Sequence, residues 1–424
     1  MSRREAGASA VLALLLAAPA CRPGGDAAPG GPAVLRMLVP ANERPFWLPL
    51  AESFAKARPG VRLELEEGPV PTDLRESLTT SALLSRDGTW DLVYLDVTWT
   101  SKLAAAGWLL PLDDAFGEAE RAAFLPQALA AGVFRGRLYR VPFRTDVGLL
   151  YYRADLLAAA GIAPPRTFAE LETAARRLQS PPERWGFLWQ GAQYEGLVCF
   201  FLEVLHGHGG SWIDPETLEV GLDRPEAEAA LALLVRARGA GGVSPPGVTA
   251  YREEETRHLF QSGRAVFLRS WPYVFRLAQR EGSAVAGKIG VLPVPTLSGA
   301  PGSGTLGGWG LAVARASRQP EKAIAFVRHA TTLESQRLFC APTGFAPARR
   351  DGYADPELLA ANPFLAELGK IHASATARPV VARYAQASDV LQRHLTGALA
   401  GLATPREALA AAARETRALL GEAP

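Results

Sequence analysis

Little in this chain invites a chemical reading at first. Among 424 residues there are three cysteines and six histidines, too few for a disulfide framework or a cysteine-rich metal site. No C-x-x-C, H-E-x-x-H, G-x-S-x-G or P-loop pattern occurs, so the reactions those motifs mark are not signalled. Neither sign of charge dominates: 45 Lys and Arg against 43 Asp and Glu leave a formal +2. The basic residues are scattered among acids and form no stripe along a phosphate backbone, which argues against a nucleic-acid partner. No internal repeat is present. No apolar run reaches the roughly 20 residues that a bilayer span needs.

Two partial motifs fail on context. Gly302-Ser-Gly304-Thr-Leu-Gly307 has G-x-G-x-x-G spacing, but it precedes a strand instead of following one into a helix, so a dinucleotide site is rejected. His206-Gly-His208 has no cysteine or acidic cluster beside it, and a surface loop is the expected reading. Paired glycosidase carboxylates stay open, because their separation is purely spatial.

What is present is an ordinary globular composition, 48% hydrophobic and 21% charged. The chain is long enough for two domains, since single cores rarely grow beyond roughly 250–300 residues. The first residues differ from the rest. Arg3 and Arg4 precede an apolar stretch from Ala6 to Ala20 that ends in Ala18-Pro19-Ala20 before Cys21. This is a secretory signal peptide over 1–20. Cys21 sits where a bacterial lipobox places the cysteine that is acylated, although Ala18 and Pro19 are unusual for it. Ordinary cleavage that leaves Cys21 unmodified is the alternative. Residues 21–33, rich in Gly, Pro and Ala, then form a flexible tether. Cys199 and Cys340 lie in separate apolar helical patterns and are expected as buried free thiols.

Downstream, period-2 and period-3.6 patterns alternate. Val34–Val39 is a strand, and Phe46, Trp47, Leu50 and Phe54 mark a helix that Pro59-Gly60 stops. Val61, Leu63 and Leu65 form a second strand, and Leu92–Leu95 a third after another helix. Such alternation specifies an α/β fold with a sheet covered by helices. Thr167-Phe-Ala-Glu170 and Thr404-Pro-Arg-Glu407 are capping boxes, and Asp223-Arg-Pro-Glu226 opens another helix. Lys288–Val294 is a strand, Pro295–Gly308 a glycine-rich loop, and Leu311–Val313 strand-like.

Aromatic residues recur beside charge in the segments between elements. Glu43 precedes Phe46-Trp47, Asp96 precedes Trp99, and Arg144 and Asp146 precede Tyr151-Tyr152. Trp271-Pro-Tyr273, Gly307-Gly-Trp309-Gly and Arg378-Pro…Arg383-Tyr384 follow. A pyranose packs its C–H face on an indole or phenol, while its hydroxyls meet carboxylates and guanidinium groups. Core packing competes for each ring singly, and Trp90, Trp108, Trp185 and Trp189 are assigned to it.

Several of these segments resemble the extracellular solute-binding proteins of ABC sugar importers, especially the trehalose/maltose-binding group. They are Trp90-Asp-Leu-Val-Tyr-Leu-Asp-Val-Thr-Trp99, Val141-Pro-Phe-Arg-Thr-Asp-Val-Gly-Leu-Leu-Tyr-Tyr-Arg153, Phe260-Gln-Ser-Gly-Arg-Ala-Val266, Gly307–Val313 and Pro342-Thr-Gly-Phe-Ala-Pro347. The resemblance implies a two-lobed periplasmic-binding-protein fold, each lobe a mostly parallel sheet flanked by helices, joined by three hinge crossings. The first lobe would take 34–146 and 306–347, the second 147–305 and 348–424. It implies a receptor and no enzyme, monomeric, without cofactor or metal, delivering a di- or oligosaccharide to permease subunits from a lipid anchor on the outer face of the cytoplasmic membrane. Carried over, Glu43, Asp96 and Asp146 would accept from sugar hydroxyls, Arg383 would donate, and Trp271, Tyr273 and Trp309 would form stacking walls. Arg144, a bulky charge before Asp146, departs from the pattern and narrows the site. A polyamine ligand on the same fold, or a glycoside hydrolase, remain alternatives.

Overall fold

The computed structural model describes residues 32–421 except 301 and 303. The signal segment, Cys21 and nearly all of the tether lie outside the described residues.

Twelve strands are present among them: β1 (Ala33–Pro40), β2 (Val61–Gly68), β3 (Leu92–Asp96), β4 (Val133–Phe134), β5 (Arg137–Leu138), β6 (Val141–Val147), β7 (Leu149–Arg153), β8 (Trp185–Leu188), β9 (Ala265–Ser270), β10 (Ile289–Pro293), β11 (Leu306–Val313) and β12 (Ala346–Pro347). One sheet has the order β12-β6-β11-β3-β1-β2, a second β10-β7-β9-β8, and β4 and β5 form a hairpin. Helices cover both large sheets.

Both sheets are mixed, with most strands running one way and a minority against them. β2, β1 and β3 run parallel, but β11 is antiparallel to both β3 and β6. In the second sheet only β8 and β9 are parallel neighbours. The reason is the connectivity. A chain that enters a lobe from the other one must run away from the junction, against the strands that lead toward it. β11 does so in the first sheet and β7 in the second.

The first core is built where the sequence pattern puts it. Helix Arg44–Ala57 buries Trp47, Leu50 and Phe54, and the Trp47 ring stacks on Phe143 at 4.6 Å. Each such side chain contributes roughly 1.5–3 kcal/mol on full burial. Along β7 the alternation splits the faces: Leu149 and Tyr151 continue the first cluster, while Leu150 joins the second. The second cluster fills the space between the second sheet and helices Glu195–Gly207, Pro225–Arg238, Tyr384–Leu399 and Pro405–Gly421. Leu358, Leu365, Leu368 and Ile371 pack with the first cluster and Val381 onward with the second. Helix Pro356–Ala361 packs on helix Leu333–Thr343 of the first lobe and helix Tyr384–Leu399 on helix Glu195–Gly207 of the second, so the chain's third passage lies between them, beyond the boundary at 347 that the sequence suggested.

The three crossings are laterally bonded. Gly148 N–H donates to Thr305 O at 3.1 Å, Leu306 N–H to Thr376 O at 2.8 Å, and Thr376 N–H to Gly304 O at 2.9 Å. They form a narrow three-strand ribbon between the lobes.

β11 is longer than the sequence suggested, because Gly307-Gly308-Trp309-Gly310 is extended backbone paired to β6 and β3. Gly308 has φ +131°, and a Cβ there would meet the Arg144 carbonyl oxygen at 2.7 Å. Glycine is required by that close approach. A run that reads as a loop by composition is thus a strand squeezed between two neighbours.

Candidate functional site

The strand directions place one set of ends at the junction of the lobes. β1, β2, β3 and β6 lead to Glu43, Asp73, Asp96 and Asp146; β8 and β9 lead to Glu195 and Trp271; β11 begins there with Gly307 to Trp309. Ligands of open α/β sheets bind outside the carboxyl ends of strands, where the connections leave polar groups unpaired by the sheet.

Arg144 organises the first-lobe side. Its Nε donates to Tyr94 Oη at 2.9 Å, Nη1 to Asp146 Oδ2 at 2.6 Å and Nη2 to Glu43 Oε1 at 3.1 Å. Tyr94 Oη in turn donates to Glu43 Oε2 at 3.1 Å. The guanidinium lies 3.8 Å from the Phe345 ring centroid. The three charged side chains are at most 10% exposed, so the charges persist only because each is answered. Burial opposes the Arg144 charge, yet Tyr94, Glu43 and Asp146 hold its pKa above that of a free arginine. Burial raises Asp146 to about 6 despite Arg144, with Glu43 and Asp96 adding to the rise. Asp146 Oδ1 is buried and has no partner among the described residues.

Beside this network Trp309 is 7% exposed. Trp99 meets it edge-on at 5.4 Å and Tyr94 tilts against it at 4.9 Å. Arg75 lies on its ring at 4.5 Å, with Nη1 donating to Pro69 O and Val70 O, while Nε is buried with no partner among the described residues. Burial lowers the Arg75 pKa, and Glu43 opposes the fall.

The second lobe supplies the facing wall. Trp271 follows β9, is half-buried, and donates from Nε1 to Glu253 Oε1 at 3.4 Å. Its ring edge approaches Gly307: a Cβ there would lie 3.2 Å from both the Trp271 ring and Asp146 Cβ. The indole, Gly307 and Asp146 thus share one floor. Asp73 looks across at Glu195 and Glu253, and burial, then Glu195, raise its pKa. Arg378, on the third crossing, spans the gap. Its Nη2 donates to Asp96 Oδ1 at 3.2 Å and Nη1 to Glu195 Oε1 at 2.7 Å.

This arrangement brings aromatic rings, carboxylates and guanidinium groups from both lobes together at the junction. Among the described residues no group of three or more His, Cys, Asp or Glu could hold a metal ion, and no catalytic constellation emerges. The family described as bacterial extracellular solute-binding protein matches over residues 40–337. The chain belongs to that family. A probable ABC transporter-binding protein of Deinococcus radiodurans is 34% identical over 368 residues, covering 85% of this chain and 86% of that one. A mannitol-binding protein of Pseudomonas aeruginosa is 28% identical, covering 74% and 73%. Among solved structures, maltose-bound T. maritima MalE3 is 36% identical with a TM-score of 0.86, covering 91% of this chain and 100% of that one.

Most residues expected at the site of this solute-binding protein come together. Glu43, Asp96, Asp146, Trp271 and Trp309 converge as described. Tyr273 lies close by but is engaged, with Oη on Glu254 Oε1 at 2.9 Å and its ring 5.9 Å from Phe345. Arg383 is placed elsewhere: Nη1 donates to the Leu419 carbonyl of the last helix at 2.9 Å. Arg378 occupies the position between the lobes. Of the other aromatics, Trp99 and Tyr151 are core, and Tyr384 is buried with Oη on Glu195. His206 ends helix Glu195–Gly207 instead of lying in a loop, and burial lowers it to about 4. His208 stacks on Phe168. Cys199 and Cys340 are buried and free.

Asp73, Glu195 and Glu253 carry no sequence signal that marks them. Arg75 has one in hindsight. Arg75, Thr79 and Leu83 form the buried face of helix Thr72–Ser85, at the four-residue spacing that ordinarily belongs to an apolar stripe.

Proposed function

We propose that this solute-binding protein is the receptor of an ABC importer for carbohydrates or polyols, and that its ligand is a di- or oligosaccharide of the maltose or trehalose kind. One observation carries the reading. Trp271, half-buried, shares a floor with Asp146, whose Oδ1 is buried without a partner among the described residues. A sugar ring laid on the indole would bring a hydroxyl to that oxygen and bury its apolar face on the aromatic one. Glu43, Asp96, Tyr273 and Trp309 complete the proposed site, with Arg75 and Arg378 as donors.

The relatives support the class. Maltose is bound in the T. maritima structure, and mannitol gives the Pseudomonas relative its name. The receptor binds and releases, with no chemical step. Signal-peptide export, acylation of Cys21 and delivery to a permease belong to the same proposal.

The test is a calorimetric and thermal-shift panel of mono-, di- and oligosaccharides, polyols and polyamines, with chromatography of the incubated sugars. Binding of a disaccharide at micromolar concentration without turnover is expected. A response to polyamines alone, or cleavage of a glycoside, overturns the proposal.

A further inference from the structure

Beneath Trp271 lies a buried charge pair that the ligand cannot touch. Arg269, at the end of β9, is 1% exposed, and Glu203 in helix Glu195–Gly207 is wholly buried. Arg269 Nε donates to Glu203 Oε2 at 2.7 Å, and Nη2 donates to Oε1. Nη1 donates to Gln190 Oε1 at 3.1 Å. Gln190 Nε2 is itself fixed on Thr256 Oγ1 at 2.9 Å and on the Arg269 carbonyl at 3.0 Å. The guanidinium is therefore held in one plane by three bonds. That plane lies against the indole, 4.1 Å from the Trp271 ring centroid.

The other end of the pair reaches the hinge. Glu203 Oε1 accepts the Thr305 N–H at 3.2 Å, and Thr305 Oγ1 donates to the Cys199 carbonyl on the same helix at 3.0 Å. Thr305 O accepts the Gly148 N–H. At Gly148 a Cβ would fall 1.8 Å from Glu203 Oε1 and 2.7 Å from Arg269 Nη2. The first and second crossings thus both press on one carboxylate. A buried ion pair is no better for stability than apolar side chains of the same size, and its distinctive property is fixed geometry.

We infer that Arg269 and Glu203 are positioning residues that tie the Trp271 wall to the hinge crossings. The inference rests on reading Trp271 as a ligand wall. When the ligand stacks on one face of the indole, the other face is held by Arg269. Any rotation of the crossings about Gly148 and Thr305 is then transmitted through Glu203 to the angle of that ring. Closure and stacking become one event.

The experiment compares the charge-balanced double variant Glu203→Gln/Arg269→Met and the conservative Arg269→Lys with wild type. A core control, Leu231→Ala, removes a wholly buried side chain of the second lobe. Maltose association and dissociation are followed by stopped-flow. The double variant is expected to release maltose about tenfold faster with an unchanged association rate, the pattern of a bound state held less firmly. Arg269→Lys keeps the charge but not the planar fork, and is expected to fall between the two. The control is expected to lose melting temperature but keep wild-type rates. Unchanged dissociation in the double variant, or equal acceleration in the control, overturns the inference. Normal maltose affinity in Trp271→Ala would instead refute the wall itself. Should wild type bind no maltose, the sugar selected by the panel replaces it; should it bind no sugar at all, the sugar proposal fails, and the coupling is read without ligand. Spin labels on exposed Ser81 and Glu228 should then report a broader interlobe distance distribution in the double variant, and an identical distribution overturns the inference.

Discussion

Replacing Arg378 by methionine keeps an unbranched stem of similar bulk and removes the charge that joins the lobes. Neither acid is stranded by the change. Asp96 Oδ1 keeps Thr98 N–H at 3.0 Å and Thr98 Oγ1 at 2.9 Å, and Glu195 keeps Tyr384 and Ser388. The loss is therefore smaller than the roughly 3–5 kcal/mol of an abandoned buried charge. Of the two Arg378 bonds, the Asp96 one reaches back to the first lobe, and one charge-assisted hydrogen bond is worth roughly 1.5–3 kcal/mol. If the ligand is held by the closed form, that converts to about ten- to a hundredfold in affinity. Calorimetric titration with the sugar selected by the panel measures this, and small-angle scattering measures the ligand concentration at which the particle compacts. Arg383→Gln is the matched comparison, because its target is the Leu419 carbonyl. It should leave affinity within about twofold of wild type, the usual range for a remote site. Wild-type affinity in Arg378→Met, or an equal loss in Arg383→Gln, would refute this placement of the bridging charge.

Trp271→Ala should weaken sugar binding by roughly 1–3 kcal/mol through lost apolar contact, with little change in unliganded melting; a large melting loss with intact affinity would make it a core residue. Arg144→Leu strands Glu43 and Asp146 and should cost roughly 3–5 kcal/mol in urea denaturation at neutral pH; a loss below about 1 kcal/mol contradicts the network, since that is the size of an exposed pair. Asp146 titrates near 6 when folded against an ordinary 3.8, so the folded state holds that proton more tightly. The penalty is present above about pH 6 and vanishes below about 4, which adds up to roughly 3 kcal/mol of stability from this group as pH falls. Asp146→Asn should remove that rise, and an unchanged difference in urea midpoint across the window speaks against it. Cys21→Ser should release the protein from sedimented membranes, because stable anchoring needs more than one acyl chain; wild-type protein already in the supernatant disproves acylation.

The strands and helices of the first lobe were legible because their cores are apolar. The spacing of Trp47, Leu50 and Phe54 gives a helix whose buried face is made of those residues. Helix Thr72–Ser85 defeats the same logic. Leu74 and Leu78 are 60% and 42% exposed, while Arg75 is buried, since a cation stacked on Trp309 looks like a surface residue in sequence. Glu43, Asp96 and Asp146 stand out in the sequence for the opposite reason: a carboxylate at or near the end of a largely apolar strand is out of place in a core. The choice between Arg378 and Arg383 was not readable, because both precede helical segments and only the path of the third crossing separates them. That path depends on where residues 356–372 pack, a long-range fact with no local pattern.

The ribbon of three crossings limits what the protein can do mechanically. Three short strands bonded edge to edge flex across their flat face but resist sliding and twisting, since shear would break the bonds from Gly148 to Thr305 and between Thr376 and its neighbours Gly304 and Leu306. The lobes are left with a single soft coordinate, so one interlobe distance describes the state of the whole molecule. A permease that contacts both lobes would then receive one bit of information, open or shut. The identity of the solute would be read only at the stage of capture.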